Sequence, residues 1–261
     1  MLLAIDIGNS SISIGVFDIS NRLQPQIVSH FKITSKDLSA DEYTVRINDF
    51  LLRNSVQVSS AVISSVVPSL TDALSRAAFN ICGCDPFLIT SGIRTGFGIK
   101  IKNPEQLGTD IVCNVAAAIN LLDSPIAILD MGTATTITVV DINKCVLGTI
   151  IIPGLKISLD ALYDSAAQLS DISLNSSLEI IGRDTKSSIC SGIINGNTLM
   201  IDGFIRNIRE EIGIKNTGER LNLIATGGLC NLILPHLRNK FVFDENLTLY
   251  GMVYLYLKNH K

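Results

Sequence analysis

No apolar stretch of this 261-residue chain approaches the ~20 residues that cross a bilayer, so no transmembrane helix is expected. No basic region and no small-residue cleavage site accompany the first apolar segment, so no secretory leader is expected either. There is no basic block: 21 Lys and Arg stand against 24 Asp and Glu, a net charge of −3, which argues against nucleic acid as the main partner. Cysteine is sparse and badly placed for metal. Of six, at 82, 84, 113, 145, 190 and 230, only Cys82 and Cys84 lie close together. The three histidines, His30, His236 and His260, join them in no motif, so a zinc site is not expected. Reduced thiols of a cytoplasmic protein are the expectation. Charge is also scarce, 17% against 47% hydrophobic residues, which describes a well-packed globular chain with room for two modest domains.

What the chain does have is a motif that occurs twice. Residues 2–18, LLAIDIGNSSISIGVFD, run from an apolar strand through Asp6 into Gly8, Asn9, Ser10 and Ser11, then alternate at Ile12, Ile14 and Val16. Residues 126–141, IAILDMGTATTITVVD, repeat the pattern: Asp130 matches Asp6, Gly132 matches Gly8, Thr133 matches Asn9 and Thr135 matches Ser11. Each copy reads as strand, tight polar turn, strand. A glycine in such a turn lets backbone N–H groups approach an anion. An aspartate at its mouth can hold a cation that neutralises phosphate oxygens. A lone D-x-G after a strand is usually a plain β-turn; the duplication changes that weighting. Two copies so far apart imply two similar domains, each offering one such turn to a nucleotide.

Between the copies, strands and helices alternate. Residues 26–33 read as a strand, 42–52 as a helix capped by Ser39 or Asp41, 58–67 as a buried strand, and 69–79 as a helix capped by Ser69. Residues 85–90 read as a strand. Residues 91–110 form a long connection with four glycines and three basic side chains. A helix is expected to open at Pro104 and run to about Leu122, with Gly108, Asp110 and Asn114 near its start, where the helix dipole favours an ionised carboxylate. After the second copy come a strand over 144–152, a helix over 155–169 and a polar turn at 181–185. A long helix over 187–212 carries Gly192 and Gly196, then a strand over 221–225 leads into Gly227-Gly228, and 247–257 reads as a closing helix. On the residues alone, Asp110 is a helix-start carboxylate, Thr185 a cap hydroxyl, and Arg94, Lys100 and Lys102 a solvated loop face.

Taken in order, IDIGNS, ISSVVP, NPEQLGTD, DMGTATT, IIPG, IGRDT, SG, ATGGL and LTLYG resemble the type III pantothenate kinases of the actin-like ATPase superfamily. That resemblance implies an α/β fold class: two similar domains of the actin-like ATPase (ribonuclease H-like) fold with a cleft between them, over residues 1–115 and 116–261. It implies ATP-dependent phosphorylation of pantothenate, the first committed step of coenzyme A synthesis, by a cytoplasmic homodimer using Mg2+ and a monovalent cation (K+ or NH4+). It assigns Asp6, Gly8, Asn9, Ser10, Gly132, Thr133 and Thr135 to ATP and its phosphates, and Gly227 and Gly228 to the adenosine. Asp110 becomes the general base, Asp130 and Asp6 the metal positions, and Ile101, Gly108, Thr109, Asp110, Ile111 and Thr185 the substrate side. Two residues depart from the family pattern: Ile111 stands where arginine is usual, and Ile101 where tyrosine is usual. A charge-assisted hydrogen bond lost there is worth about 1.5–3 kcal/mol, or roughly ten- to a hundred-fold in affinity. A kinase for another small hydroxylated acceptor, or a non-catalytic nucleotide-binding regulator, are the alternatives at this point.

Overall fold

The computed structural model describes residues 1–165, 174, 179–214 and 220–260. The chain folds into two compact units, Met1–Leu121 with Asn246–Lys261, and Leu122–Glu245. The closing helix, expected with the C-terminal half, is therefore part of the first unit, as is the whole helix that carries Asp110. The fold is mixed α/β.

In the first unit, β1 (Leu2–Ile7), β2 (Ser11–Asp18) and β3 (Gln26–Thr34) form an antiparallel meander. β4 (Ser60–Ser65) joins β1 in parallel and the short β5 (Phe87–Leu88) joins β4, giving the order β3-β2-β1-β4-β5. Side chains alternate across β1. Leu3, Ile5 and Ile7 pack under α1 (Ala40–Arg53) and α2 (Pro68–Cys82) with Tyr43, Ile47 and Leu74. Leu2 and Ala4 pack with Cys113 and Ala116 of α3 (Thr109–Leu121), and with Met252 and Val253 of α7 (Leu247–Asn259). Burying each Leu, Ile, Val or Met side chain among them is worth about 1.5–3 kcal/mol. The two-residue alternation places Asp6 on the α3 side of the sheet.

The second unit repeats this plan. β7 (Ile126–Met131), β8 (Ala134–Val140) and β9 (Cys145–Pro153) are antiparallel; β10 (Asn222–Thr226) and β11 (Val242–Phe243) add in parallel. Their order, β9-β8-β7-β10-β11, is that of the first unit. Both meanders also shift register between their second and third strands, at Val16/Phe17 and at Val139/Val140. Ala127, Leu129, Met131, Ile137 and Val139 pack against α4 (Leu155–Ser165), the long α5 (Thr185–Glu211) and α6 (Cys230–Ile233). Of the helix expected over 155–169, residues 166–169 lie outside the described ones.

Helix starts show where local chemistry decided. Ser39 caps α1 with a full capping box to Glu42, as its spacing implies. α2 opens instead on Pro68 at its first position, with Val67 rather than Ser69 as the cap residue. α5 opens one residue after Asp184, whose carboxylate accepts from the Ser187 N–H, and so begins inside the turn expected at 181–185. The helix expected from Pro104 is interrupted. Pro104–Gln106 make a single 3-10 turn, Leu107 is extended, and α3 starts at Thr109 with the Gly108 carbonyl accepting from Val112 N–H. The short strand β6 (Gly98–Ile99) lies within the preceding long connection.

Candidate active site

Each unit presents a strand-end aspartate followed by a glycine turn. In the first unit, Gly8 N–H donates to the Ser11 carbonyl at 3.1 Å. A Cβ on Gly8 would meet that same carbonyl oxygen at 3.0 Å, tighter than an ordinary contact, so a side chain there would push on the turn. Ser35, at the end of β3, fixes the turn from the side: its Oγ donates to Gly8 O at 2.6 Å and its N–H to Ser10 O at 3.1 Å. Asn9 and Ser10 stay exposed at the tip. The backbone is thus braced while the polar side chains face solvent.

Asp6 is paired in register with Ser64 of β4. Ser64 is fully buried and lies on the same face. Its hydroxyl donates to Thr109 Oγ1 at 3.1 Å, and Thr109 Oγ1 donates on to the Ser65 carbonyl at 3.1 Å. The family pattern puts Thr109 on the substrate side, and its hydroxyl bonds within the protein to Ser64 and Ser65. Next to it, Asp110 lies half-buried in the first turn of α3, and its Oδ1 accepts from the Ile111 N–H at 2.8 Å. A Cβ on Gly108 would come within 2.3 Å of that oxygen, so the carboxylate folds back over Gly108 and would have to turn away from a side chain there.

Burial raises the pKa of Asp110 above the usual 3.8, against the opposing pull of backbone N–H groups at Ile111 and at Asp110 itself. The helix-start position alone implies a more acidic group; desolvation outweighs it. One turn on, Cys113 is fully buried. Its thiol is held well above 9.0, first by burial and then by the charge of Asp6, with a Ser64 hydrogen bond opposing and Asp110 adding to the rise. Asp6 and Asp110 therefore act on one thiol, which ties strand end and helix start into a single cluster. Gly251 seats this helix: a Cβ there would lie 1.8 Å from the Cys113 carbonyl oxygen, so α7 and α3 meet backbone to backbone. Ile101 and Ile111 are both partly buried in this unit.

In the second unit, Asp130 occupies the place of Asp6, and Gly132 and Thr133 are exposed in the turn. The turn is held from below by Gly154, where a Cβ would fall 2.1 Å from the Thr133 carbonyl oxygen. Gly227, in the left-handed region at φ +104°, presses on the end of β7: a Cβ would lie 2.5 Å from Met131 C and O. Gly228 faces open space. Cys230, the first residue of α6, donates its thiol to Thr226 O at 2.9 Å. Burial and then the Asp130 charge push its pKa up to about 12. Asp130, Met131, Gly227 and Cys230 are thus one neighbourhood.

Thr135 does not join it. The turn of the second hairpin is one residue shorter than that of the first: Ile7 pairs with Ile12, but Met131 pairs with Thr135. Letter matching aligns Thr135 with Ser11, whereas register places it where Ile12 stands. It is 1% exposed on the face of Met131 and Ile137, and its Oγ1 has no hydrogen-bond partner among the described residues. The residue opposite Asp130, on its face, is Thr136. Thr185 is exposed as the first residue of α5, next to its Asp184 cap. Ser64, Thr136 and Gly154 lie within the motifs ISSVVP, DMGTATT and IIPG, and Ser35 in none, but only strand register and close backbone approach show what each touches.

Among the described residues no group of three or more His, Cys, Asp or Glu side chains converges as a metal cage. Single carboxylates at Asp6 and Asp130 suit a different arrangement. Mg2+ commonly takes one or two protein carboxylates and completes its shell with phosphate oxygens and water.

The family model for type III pantothenate kinase matches residues 2–207. A type III pantothenate kinase of Agathobacter rectalis is 34% identical over 265 residues, covering 100% of this chain and 98% of that protein. Among solved structures, a Campylobacter jejuni protein provisionally described as a Baf family transcriptional activator superposes with a TM-score of 0.58 at 18% identity, over 97% of this chain and 96% of its own. The Lmo2764 protein of Listeria monocytogenes, provisionally described as an N-acetylmannosamine kinase, does so with a TM-score of 0.54 at 12% identity, over 100% and 99%.

Proposed function

The chain belongs to the type III pantothenate kinase family, and from that premise we propose that Asp110 is the base of its phosphoryl transfer and that the two glycine turns bind ATP. The reaction is ATP-dependent phosphorylation of pantothenate, the entry to coenzyme A synthesis, on the actin-like ATPase and sugar kinase fold. Phosphoryl transfer asks for little covalent work from a protein; it asks for charge neutralisation, positioning and a base for the acceptor hydroxyl.

The observation that carries the assignment of Asp110 is its half-buried place at the start of α3, where desolvation raises its pKa. A carboxylate of raised pKa is a stronger base, and a general base works best as its pKa approaches the operating pH. Asn9, Ser10 and Thr133 present exposed polar groups to phosphate oxygens, and Asp6 and Asp130 would hold cations. Mg2+ and a monovalent cation, when bound, neutralise charge on the transferring phosphoryl group. Gly228 leaves open space without a side chain for the adenosine, and Gly227 seats the same turn against β7. Ile101, Gly108, Ile111 and Thr185 make up the acceptor side in this reading; Thr109 supports it from within.

We further infer a homodimer. Gly192, Gly196, Leu199 and Gly203 recur at helical spacing along α5. A Cβ on any of the three glycines would meet nothing within 4 Å, and Leu199 is 60% exposed. No described residue packs closely on this glycine face, and a second copy would supply that contact. No helix among the described residues is long and apolar enough to cross a membrane, and a cytoplasmic location is part of the same proposal. The test of function is ADP release by the purified protein with ATP, Mg2+ and K+. Release that depends on pantothenate is expected, and release indifferent to pantothenate contradicts the reading.

A further inference from the structure

We propose that Ser64 is a positioning residue for the phosphoryl transfer, its buried hydroxyl tying the start of α3, and so Asp110, to the strand pair that carries Asp6. The inference rests on the assignment of Asp110 as the base. β4 ends in two serines that face opposite sides of the sheet and serve two different helices. Ser65 serves α2: its Oγ accepts from Val67 N–H at 3.1 Å and from Thr71 Oγ1 at 2.8 Å. Ser64 serves α3. It is 0% exposed and stands in register with Asp6, and its hydroxyl donates to Thr109 Oγ1 at 3.1 Å. Thr109 passes the chain on to the Ser65 carbonyl at 3.1 Å.

The hydroxyls of Ser64 and Thr109 form a directed chain. The Thr109 proton is committed to the Ser65 carbonyl, so its lone pair is what the Ser64 proton meets. Thr109 is the residue before Asp110 and the first residue of α3. Gly108, just before it, adds no side-chain contact of its own. This hydroxyl chain therefore supplies a direct polar tether between the first turn of α3 and the sheet. Removing it leaves the apolar packing of Cys113 and Ala116 intact but frees the turn ahead of them. A buried hydroxyl left without its partner also destabilises the geometry that remains.

The test compares Ser64→Ala, Thr109→Val and the double variant with the parent enzyme. It reads kcat, KM for ATP, and hydrogen exchange of the amides at 110–112. Misplacing a catalytic group by about 1 Å can cost up to about a hundred-fold, so Ser64→Ala is expected to lower kcat about ten-fold while KM for ATP stays within about two-fold. The double variant is expected to lose no more than the worse single one, because both substitutions break the same chain. Thr109→Ser, which keeps the hydroxyl, is expected to restore kcat to within about three-fold of the parent. Exchange at 110–112 is expected to speed up in Ser64→Ala. A Ser64→Ala enzyme with near-parental kcat and unchanged exchange overturns the proposal, as do losses that simply multiply in the double variant. If Ser64→Ala does not fold, the nearly isosteric Thr109→Val decides on the same readouts. Failure of the base assignment is distinguishable: it appears as an unaffected Asp110→Asn enzyme, while the exchange measurement still reports the tether.

Discussion

Replacing Gly227 by alanine brings two costs to one atom. At φ +104° an L side chain is strained, by about 1–3 kcal/mol. The new Cβ would also lie 2.5 Å from Met131 C and O and 2.6 Å from Met131 N. Those are backbone atoms of β7, held by its ladders to β8 and β10, so they cannot turn aside as a side-chain tip would. Restoring van der Waals separation requires a shift of about 1 Å, and overpacking of this kind costs about 1–3 kcal/mol. The sum is about 2–6 kcal/mol, a large part of the 5–15 kcal/mol that separates folded from unfolded states. At about 2–4 °C per kcal/mol for a chain of this size, melting is expected to fall by at least about 4 °C. Because the shift occurs where the adenosine is proposed to lie, KM for ATP is expected to rise at least about ten-fold, equivalent to about 1.4 kcal/mol of binding. Gly228→Ala is the control. Its Cβ meets nothing within 4 Å, so its melting is expected to stay near the parent's, and any change in KM reports the ligand alone. The assays are thermal melting and initial rates of ADP release at varied ATP. A Gly227→Ala protein that melts within about 2 °C of the parent and keeps its KM for ATP would refute the reasoning.

Gly154→Ala sets a Cβ 2.1 Å from the Thr133 carbonyl oxygen and so displaces the second turn; KM for ATP is expected to rise with little change in KM for pantothenate, read from initial rates. Asp110 makes stability and activity move in opposite directions. Its pKa is raised by burial above 3.8, so the folded protein holds this proton at pH values where the unfolded chain has released it. Stability therefore falls as pH rises from 3.8 through the folded-state pKa, and the loss persists above it. Asp110→Asn avoids the penalty and is expected to melt above the parent at pH 7, with the gain vanishing below 3.8, as thermal melts across pH would show. Alkylation of the native protein followed by mass spectrometry is expected to label exposed Cys84 and to spare buried Cys113, Cys190 and Cys230 until unfolding.

The duplicated hairpin was readable along the chain because it is local: alternation, an aspartate and a glycine turn lie within a few residues of one another. Its consequence, the shared strand order of the two units, followed. The capping box at Ser39 was readable for the same reason. Helix α3 was harder. Pro104 and Glu105 look like a helix start, and a 3-10 turn does form there, but the extended Leu107 delays α3 to Thr109. Position in the sequence puts the closing helix with the C-terminal half, whereas the backbone contact of Gly251 with Cys113 binds it to the first unit. Thr135 shows the limit of matching letters: one residue fewer in a turn sends a side chain to the other face of the sheet. Ser64 carries no sign of its role until β4 is set beside β1.

The central claim is that Asp110 takes the proton from the acceptor hydroxyl while other residues hold the nucleotide. The direct measurement pairs ATP binding with pantothenate-dependent ADP release in Asp110→Asn. The expected result is ATP affinity within about two-fold of the parent and turnover lower by roughly a hundred- to ten-thousand-fold. Turnover close to the parent's, with ATP still bound, would contradict the account.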